Sequence, residues 1–309
     1  MELSLFDLHC DTAGEMLKTG QGLEQNDLAV SLEKASAYRQ YVQVMAHWTP
    51  YKMQDEEGWK YCLRMLKNLK DDPAITAKKA VIQTVCPKQV DSPTLFLAVE
   101  DARILVNQLE RVNLLFENGI RILTPLWKGE SCIGGSHDTD KGLTDFGRAA
   151  LERAVALGMI LDVSHASVAS AENMFTIAKK HGRPVIASHS NAYEVCPVSR
   201  NLRREQIDAI VASDGIIGIN LFTGFLQPDG NATAKAALAH IDYFLELGAK
   251  DYLALGCDMD GCDLPPDLPD VSALPRLAEL MCSHGYSDRL IQAIFYGNAY
   301  RFAQKYLTH

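Results

Sequence analysis

Residues 144–165 read TDFGRAALERAVALGMILDVSH, and this stretch contains the unit that decides the fold. Thr144 is predicted to begin a helix, because a threonine hydroxyl can accept a hydrogen bond from a free N–H of the first turn. One stripe of the helix is apolar and consists of Phe146, Ala150, Ala154 and Leu157. Gly158 ends the helix. The apolar segment MILDVSH then follows as a strand and ends in His165.

The order of helix, glycine and strand recurs along the chain. Segment 101–118 is predicted to be a helix that ends at Gly119, and the strand IRILTPLW follows it. Candidate strands lie near residues 4–8, 41–46, 94–99, 121–126, 159–164, 184–188, 215–220 and 252–257. Strands separated by helices favour parallel pairing, and a set of this size favours a closed (β/α)₈ barrel. The alternative, a doubly wound open sheet, lacks support because no glycine-rich phosphate-binding loop follows any strand.

The domain organisation follows from the length of the chain. A (β/α)₈ barrel of ordinary size uses nearly all of the 309 residues, so we predict one domain over residues 1–309. One long excursion is expected at about residues 47–93. It contains an amphipathic helical pattern around Trp59 and Leu66 that is expected to cover part of the barrel mouth.

Composition excludes several classes of function. The formal net charge is -9, and no basic run interleaved with aromatic residues is present, so nucleic acid is not an expected partner. The start MELSLFDLHCDT lacks the features of a secretion signal, and no apolar run reaches the length of a membrane span. We therefore expect a cytoplasmic protein with no membrane partner. The 8 cysteines form no Cys-x-x-Cys pair, which argues against a zinc ribbon or a thioredoxin-like site.

Polar residues stand at the ends of the predicted strands, where a barrel of this type builds its active site. In chain order, the strand ends carry His9 with Asp11, His47, Glu100, Trp127, His165, His189, Asn220 and Asp258. Only 9 histidines occur in the chain, and several of them stand at these ends.

Each of these residues has an ordinary structural explanation when it is taken alone. The His9–Asp11 pair can close a barrel end, Glu100 can begin the next helix, and Asp258 can belong to a turn. Together, the imidazoles and carboxylates would converge on the barrel axis, where they can hold two divalent metals roughly 3.5–4 Å apart with a bridging carboxylate. Nitrogen and oxygen ligands suit zinc first, then manganese or iron.

Several segments together resemble the membrane dipeptidase (renal-type dipeptidase) family of the amidohydrolase superfamily. They are DLHCDT, VEDA, LDVSHAS, VIASHSNAYEVCPVSRNL, LGCDMDG and YGNAYRF, in that order from the first strand to the last helix. The resemblance implies a (β/α)₈ barrel with a two-zinc centre. It also implies hydrolysis of dipeptides that carry a free C-terminal carboxylate, by a water that bridges the metals. Because members of the family are often dimers, a homodimer is expected as well.

The resemblance also implies roles for individual residues. His9 and Asp11 match the ligands of one zinc, His165 and His189 those of the other, and Glu100 matches the carboxylate that bridges both. Arg200 matches the arginine that binds the substrate carboxylate, a task that suits a guanidinium fork. Asp258 matches the aspartate that transfers the proton from the water to the leaving amine.

Two features depart from the family pattern. The strand YVQVMAHW lacks the glycine-rich start that is expected of the family. The other departure is at the fourth predicted strand. Members usually carry a histidine at the end of the fourth predicted strand that contacts the substrate, whereas Trp127 stands there in this chain. An indole donates one hydrogen bond and carries no positive charge, so oxyanion stabilisation from this side would be weaker or come from another group. Two alternatives to a dipeptidase therefore stay open. One is an amidohydrolase for another amide or ester, such as an N-acyl amino acid or a lactone, with Trp127 stacking on the substrate. The other is a non-catalytic, metal-containing barrel that binds small peptides.

Overall fold

The computed structural model describes residues 2–53 and 55–308, so positions 1, 54 and 309 of the predicted domain lie outside the described residues. In these residues the strands are β1 (Leu5–Cys10), β2 (Tyr41–Trp48), β3 (Val81–Ile82), β4 (Thr94–Glu100), β5 (Ile120–Thr124), β6 (Ile160–Asp162), β7 (Val185–Ile186), β8 (Ile217–Ile219) and β9 (Leu253–Leu255). Every predicted strand is present. The short β3 was not predicted, and it pairs only with β4 outside the main path of the sheet.

The main sheet forms a parallel barrel. Its spatial order is β7-β6-β5-β4-β2-β1-β9-β8, and all of these neighbours pair in parallel. A parallel bridge between Ala187 and Ile217 joins the two ends of this order. The predicted (β/α)₈ fold is confirmed.

Helices surround the barrel. They are α1 (Thr12–Thr19), α2 (Asp55–Lys70), α3 (Pro73–Thr76), α4 (Glu110–Glu117), α5 (Asp145–Ala156), α6 (Val168–Lys180), α7 (Arg204–Ala212), α8 (Thr223–Leu226), α9 (Ala234–Glu246), α10 (Leu274–Ser283), α11 (Asp288–Gln292) and α12 (Asn298–Tyr306). Short 3₁₀ helices occur at Lys34–Ala37, Ala102–Leu105 and Val271–Ala273, and a π-helical turn covers Ala293–Gly297. None of the described helices is long and apolar enough to cross a bilayer.

The unit at residues 144–165 forms as the sequence predicts. The Thr144 hydroxyl accepts a hydrogen bond from the Gly147 N–H at 2.9 Å, and α5 begins at the next residue after the threonine. Gly158 has a φ of 95°, which few other residues adopt without strain. The chain then enters the fully buried β6, after which His165 reaches the mouth of the barrel.

The predicted helix over 101–118 is interrupted. A 3₁₀ helix over Ala102–Leu105 stops where Val106 and Asn107 adopt φ values of 49° and 56°. Left-handed residues cannot continue a right-handed helix, so α4 begins only at Glu110.

The excursion at 47–93 contains an amphipathic helix, α2, around Trp59 and Leu66. Trp59 and Leu66 of α2 are buried in the main core, and the helix packs against α1 and β2 on the barrel wall. The loop before α2 reaches the mouth, since the ring of Tyr51 lies 5.8 Å from the ring of Trp127.

The barrel interior below the mouth is apolar. Phe6 of β1 stacks on Phe96 of β4 at a centroid distance of 6.1 Å, although β2 separates the two strands in the sheet. Residues of the C-terminal segment, including Tyr296 and Phe302, join this cluster. The dense packing keeps solvent from the lower end and leaves polar side chains to the carboxyl ends of the strands.

A candidate metal centre and active site

The six residues predicted to bind metal or move protons all lie at the carboxyl ends of barrel strands. His9 is in β1, Asp11 precedes α1, Glu100 ends β4, and His165, His189 and Asp258 each stand three residues after β6, β7 and β9. A register shift against β2 between Asp7 and Cys10 breaks the regular alternation of β1. His9 and Asp11 nevertheless meet, with Nε2 and Oδ2 3.4 Å apart.

Glu100 lies at the centre of the cluster. Its Oε1 is 2.9 Å from Nε2 of His165 and 3.4 Å from Nε2 of His189. Its Oε2 is 3.7 Å from Nε2 of His9. The two oxygens of one carboxylate therefore face two different sets of nitrogen ligands, which is the arrangement that a bridging carboxylate requires.

Three overlapping groups could each hold a metal ion among the described residues. Their potential ligand atoms lie within 4.8 Å of one another. Two groups, His9 with Asp11 and Glu100, and Glu100 with His165 and His189, match the predicted halves. The third combines His9 and His189 with Asp258, whose Oδ1 is 3.8 Å from Nε2 of His9.

Two observations indicate that these side chains suit divalent ions. Nε2 of His9, Oδ1 of Asp11 and Oε1 of Glu100 are buried and make no hydrogen bond. Nε2 of His165 and Nε2 of His189 lie 3.0 Å apart. Two nitrogen ligands of one tetrahedral ion would be separated by roughly 3.3 Å. A shared cation removes the repulsion that two facing lone pairs would otherwise suffer.

Each of these imidazoles has its other nitrogen engaged. Nδ1 of His165 lies 3.1 Å from the carbonyl oxygen of Trp127, and Nδ1 of His189 lies 2.6 Å from the Ser188 hydroxyl. Such partners direct the Nε2 lone pair at the metal. Burial lowers the pKa of both His165 and His189 well below the ordinary value, so both are neutral, as metal binding requires.

Negative charge accumulates on the other side of the cluster. Burial raises the pKa of Glu100 well above its ordinary value, and the neighbouring carboxylates of Asp11 and Asp258 add to the shift. Burial opposes a charge on His9, but Glu100, Asp11 and Asp258 outweigh it and raise its pKa to about 10. A buried group of carboxylates that attracts a proton so strongly also attracts a cation.

The backbone of the site is strained. His165 and Asp258 have φ values of 67° and 62°, in the left-handed region that side chains other than glycine rarely occupy. Gly261 allows the close approach of the carboxylates, because a Cβ there would lie 2.1 Å from Oδ2 of Asp11 and 2.7 Å from Oδ1 of Asp258. The role of Gly261 was not predicted, although it follows directly on the acidic segment CDMD.

Two further residues support the centre: Asp162, which was not predicted, and Asn220, which was predicted only to stand at a strand end. Asp162 is buried and accepts hydrogen bonds from the hydroxyls of Thr124 and Ser188 at 2.6 and 2.5 Å. Asn220 donates to Oδ2 of Asp258 at 3.0 Å. In the sequence, these roles are indicated by an acid inside an apolar strand, Asp162, and by an amide at a strand end, Asn220.

His47 stands apart from this centre. Its Nδ1 lies 3.0 Å from the Ala98 carbonyl oxygen, and it belongs to none of the three ligand groups found among the described residues. A strand end alone is therefore not sufficient to bring a histidine to the cluster.

A cavity of about 380 Å³ opens above the cluster. Its walls combine Asp11, Glu100, His165 and Asp258 with Trp127, Lys128, His137, Phe222, Phe225, Gly261, Cys262 and Asp263. The Trp127 ring therefore lies beside the cluster. The rings of Phe222 and Phe225 form an edge-to-face pair at 4.6 Å on the same cavity.

Arg200 lines an adjoining cavity of about 560 Å³ that shares His137 with the first. Only 3% of the residue is exposed. Nη1 donates to the Ser190 hydroxyl at 2.8 Å and Nη2 to the His189 carbonyl oxygen at 2.9 Å, while the buried Nε has no partner. A guanidinium has five N–H groups, so several remain for an anion.

The chain is similar to a known family and to known proteins. The family model described as "Membrane dipeptidase (Peptidase family M19)" matches residues 1–307. An uncharacterized protein from the pqqA 5′ region of Klebsiella pneumoniae is 36% identical over 193 residues, which cover 58% of this chain and 70% of that protein. Dipeptidase 3 of Mus musculus is 29% identical over 214 residues, or 66% of this chain and 43% of that protein.

A similar fold is found among solved structures. The crystal structure of dipeptidase AC, a metallopeptidase of family M19, superposes with a TM-score of 0.90 at 24% identity. The superposition covers 100% of both chains. At this level of identity the superposition shows a common fold.

Proposed function

The chain belongs to the membrane dipeptidase family, peptidase family M19, and is a hydrolase of the metallopeptidase type; on this premise we propose that it hydrolyses dipeptides with a free C-terminal carboxylate. The observation that carries the proposal is the position of Glu100. One of its oxygens faces His165 and His189, and the other faces His9. This geometry supports a binuclear centre held by the five predicted ligands.

Zinc is the proposed metal, because the ligand atoms are nitrogen and oxygen without thiolate. Two such ions would polarise the scissile carbonyl and lower the pKa of the attacking water. His9 and Asp11 would hold one ion, His165 and His189 the other, and Glu100 both.

Asp258 is the proposed proton-transfer group. Its Oδ2 accepts a hydrogen bond from Asn220, and Oδ1 points toward His9. Burial and the nearby Asp11 raise its pKa to about 6. A carboxyl group with a pKa near neutrality can take a proton from the attacking water and deliver it to the amine that leaves.

Arg200 is the proposed partner of the substrate carboxylate. Its buried cation with unused N–H groups lies beside the cavity that shares His137 with the metal centre. A guanidinium binds a carboxylate through two parallel hydrogen bonds. This contact would select peptides whose C-terminus is free and close to the scissile bond.

Trp127 favours a second candidate, the hydrolysis of another amide or ester such as an N-acyl amino acid. Its ring lines the cavity, where it forms an aromatic side, and behind it lie the rings of Trp48 and Tyr51 at 5.0 and 5.8 Å. Such a side can stack on a flat acyl group. A non-catalytic peptide binder is disfavoured because a hydrolase family is matched over residues 1–307.

The experiment that tests the proposal combines metal analysis with a substrate panel. The panel contains dipeptides with an L- or D-residue at the C-terminus, the same dipeptides with an amidated C-terminus, and N-acyl amino acids. We expect two metals per chain and turnover of the free dipeptides above the other compounds. Two metals with turnover of N-acyl amino acids alone would replace the dipeptidase proposal with the second candidate.

A cytoplasmic location and a homodimer stay predictions. Cell fractionation would test the location, and analytical ultracentrifugation would test the dimer.

A further inference from the structure

His137 occupies the wall between the two cavities. It lines the cavity above the cluster together with Glu100 and Asp258, and it lines the adjoining cavity together with Arg200. The centroid of its ring lies 6.0 Å from that of His165. A group bound at the metal centre and extended toward Arg200 would therefore pass this imidazole.

The backbone around His137 is held firmly. The His137 N–H donates to the carbonyl oxygen of His165 at 2.7 Å, and the Ser136 N–H donates to that of Gly129 at 2.9 Å. A Cβ on Gly135 would lie 2.3 Å from Oγ1 of Thr139, so this turn admits only glycine without rearrangement. The segment therefore keeps the imidazole in place without help from a substrate.

The orientation of the ring follows from its one side-chain partner. Nδ1 of His137 lies 2.9 Å from the Ser199 hydroxyl, and this hydroxyl has no other partner among the described residues. When the Ser199 hydroxyl donates to Nδ1, the neutral imidazole carries its own proton on Nε2. Nε2 makes no hydrogen bond to the described part of the chain, so its N–H is free for a ligand.

We propose that Nε2–H of His137 donates a hydrogen bond to the oxygen of the scissile carbonyl, and that Ser199 fixes the tautomer that allows it. This inference rests on the proposed function. Negative charge develops on that oxygen as water adds, so the hydrogen bond is stronger in the transition state than in the bound substrate. His137 thus supplies the donor that the indole of Trp127 does not place at the end of β5.

The first test compares two substitutions at His137. His137→Phe keeps a ring but removes the N–H, and kcat should fall on the order of 100- to 1,000-fold, as for loss of one oxyanion donor, with little change in KM. His137→Gln keeps an N–H near the position of Nε2 and should recover part of the loss. Both variants should bind two metals per chain. His181→Phe, a matched change on the surface, serves as the control, since Nε2 of His181 contacts Glu152 there, away from both cavities.

Binding of a phosphinate dipeptide gives a readout that needs no turnover. Its tetrahedral anion resembles the transition state, so its dissociation constant should rise in His137→Phe by about the factor lost in kcat/KM. A kcat within three-fold of the parent, or a rise in KM alone, would overturn the assignment of His137 to the carbonyl oxygen.

Ser199→Ala provides an independent test if His137→Phe does not fold. Loss of one ordinary hydrogen bond should lower kcat about five-fold and allow both tautomers. Nitrogen NMR of the imidazole in the parent enzyme should show the proton on Nε2; a proton on Nδ1 would refute the proposal.

All kinetic measurements use a substrate that the parent cleaves. If no dipeptide is cleaved, the proposed function fails, while the tautomer and phosphinate measurements still decide the role of His137.

Discussion

The hydroxyl oxygen of Ser188 lies 2.6 Å from Nδ1 of the neighbouring His189. The same oxygen is 2.5 Å from Oδ2 of Asp162, which is fully buried. A carboxylate only accepts hydrogen bonds, so Ser188 donates to Asp162 and accepts the N–H of His189. One hydroxyl group therefore sets the tautomer of a proposed metal ligand and leaves its Nε2 lone pair facing Glu100.

Ser188→Ala should weaken metal binding without unfolding the protein. The imidazole of His189 loses the partner that fixes its tautomer, and loss of such outer partners typically lowers metal affinity about 10- to 100-fold. Competition with a chelator, followed by metal analysis, measures the effect. Ser213→Ala is the matched control, because Ser213 bonds to the amino end of β7 at Val185, away from the metal centre. Equal metal affinity in the two variants would contradict the role given to Ser188.

Glu100→Gln should abolish the binuclear centre. The substitution keeps the volume of the side chain but removes the charge that lets two cations lie close together. We expect one metal or fewer per chain and loss of hydrolysis, measured by metal analysis and by a dipeptide assay. Glu152→Gln, a change of a surface acid that contacts Lys180, should change neither. Two bound metals and retained hydrolysis in Glu100→Gln would refute the bridging role.

The fold could be predicted because its signal is local and repeated. Helix caps such as Thr144 and stops such as Gly158 recur in several units, so the strands could be counted without knowledge of long-range contacts. The break at Val106 could not be predicted, since a β-branched residue is among the least expected at a positive φ. The strand β3 was missed because two residues are too few to show a periodicity.

The metal ligands could be predicted because the parallel barrel brings all its strand ends to one place. The contacts of His137 could not be predicted from the sequence, because its loop leaves β5 and crosses to the segment of Ser199, 62 residues away. The hydrogen bonds of Arg200 to Ser190 and His189 could not be predicted from the sequence for a similar reason. Such partners depend on how loops pack across the mouth, and no local pattern encodes that path.

Stability should depend on pH through His240. Burial lowers its pKa to about 4 from an ordinary value of 6.5, and its Nδ1 accepts a hydrogen bond from the Ala192 N–H. Between these values the unfolded chain binds a proton at His240 and the folded chain does not. The free energy of unfolding should therefore fall as pH decreases from about 6.5 to 4, by up to about 3 kcal/mol at roughly 1.4 kcal/mol per pKa unit.

Urea titrations of the parent and of His240→Gln at fixed metal concentration measure this dependence. Glutamine can replace the hydrogen bonds of His240 to the Ala192 N–H and to the Leu226 carbonyl oxygen, but it does not titrate in this range. Other buried groups titrate in both chains, so the difference between the two curves isolates His240. The stability of the parent should fall toward that of the variant, or below it, as pH decreases through the window. Parallel curves would contradict the lowered pKa.

The assignment of dipeptides as substrates depends most on Arg200, and two substitutions at this residue test that assignment. Arg200→Ala removes the substrate contact but also the hydrogen bond to the carbonyl oxygen of His189, a proposed ligand. Arg200→Lys keeps the charge but loses the bidentate fork and the paired Nη contacts to Ser190 and His189, so it separates the effect of the charge from that of the fork. Metal analysis of both variants decides which of them retains an intact centre.

In a variant with an intact metal centre, catalytic efficiency should fall selectively for substrates with a free carboxylate. Truncating one partner of a buried, hydrogen-bonded charge pair costs about 2–5 kcal/mol, so Arg200→Ala should lower kcat/KM toward dipeptides roughly thirty-fold or more, and Arg200→Lys by less. A C-terminally amidated dipeptide should be a poor substrate of the parent, and the substitutions should hardly change its turnover, because the contact is already missing. The two perturbations are thus expected to be non-additive. Additive losses would mean that Arg200 does not bind the carboxylate, and the aromatic cavity side around Trp127 would then favour an N-acyl amino acid as the substrate.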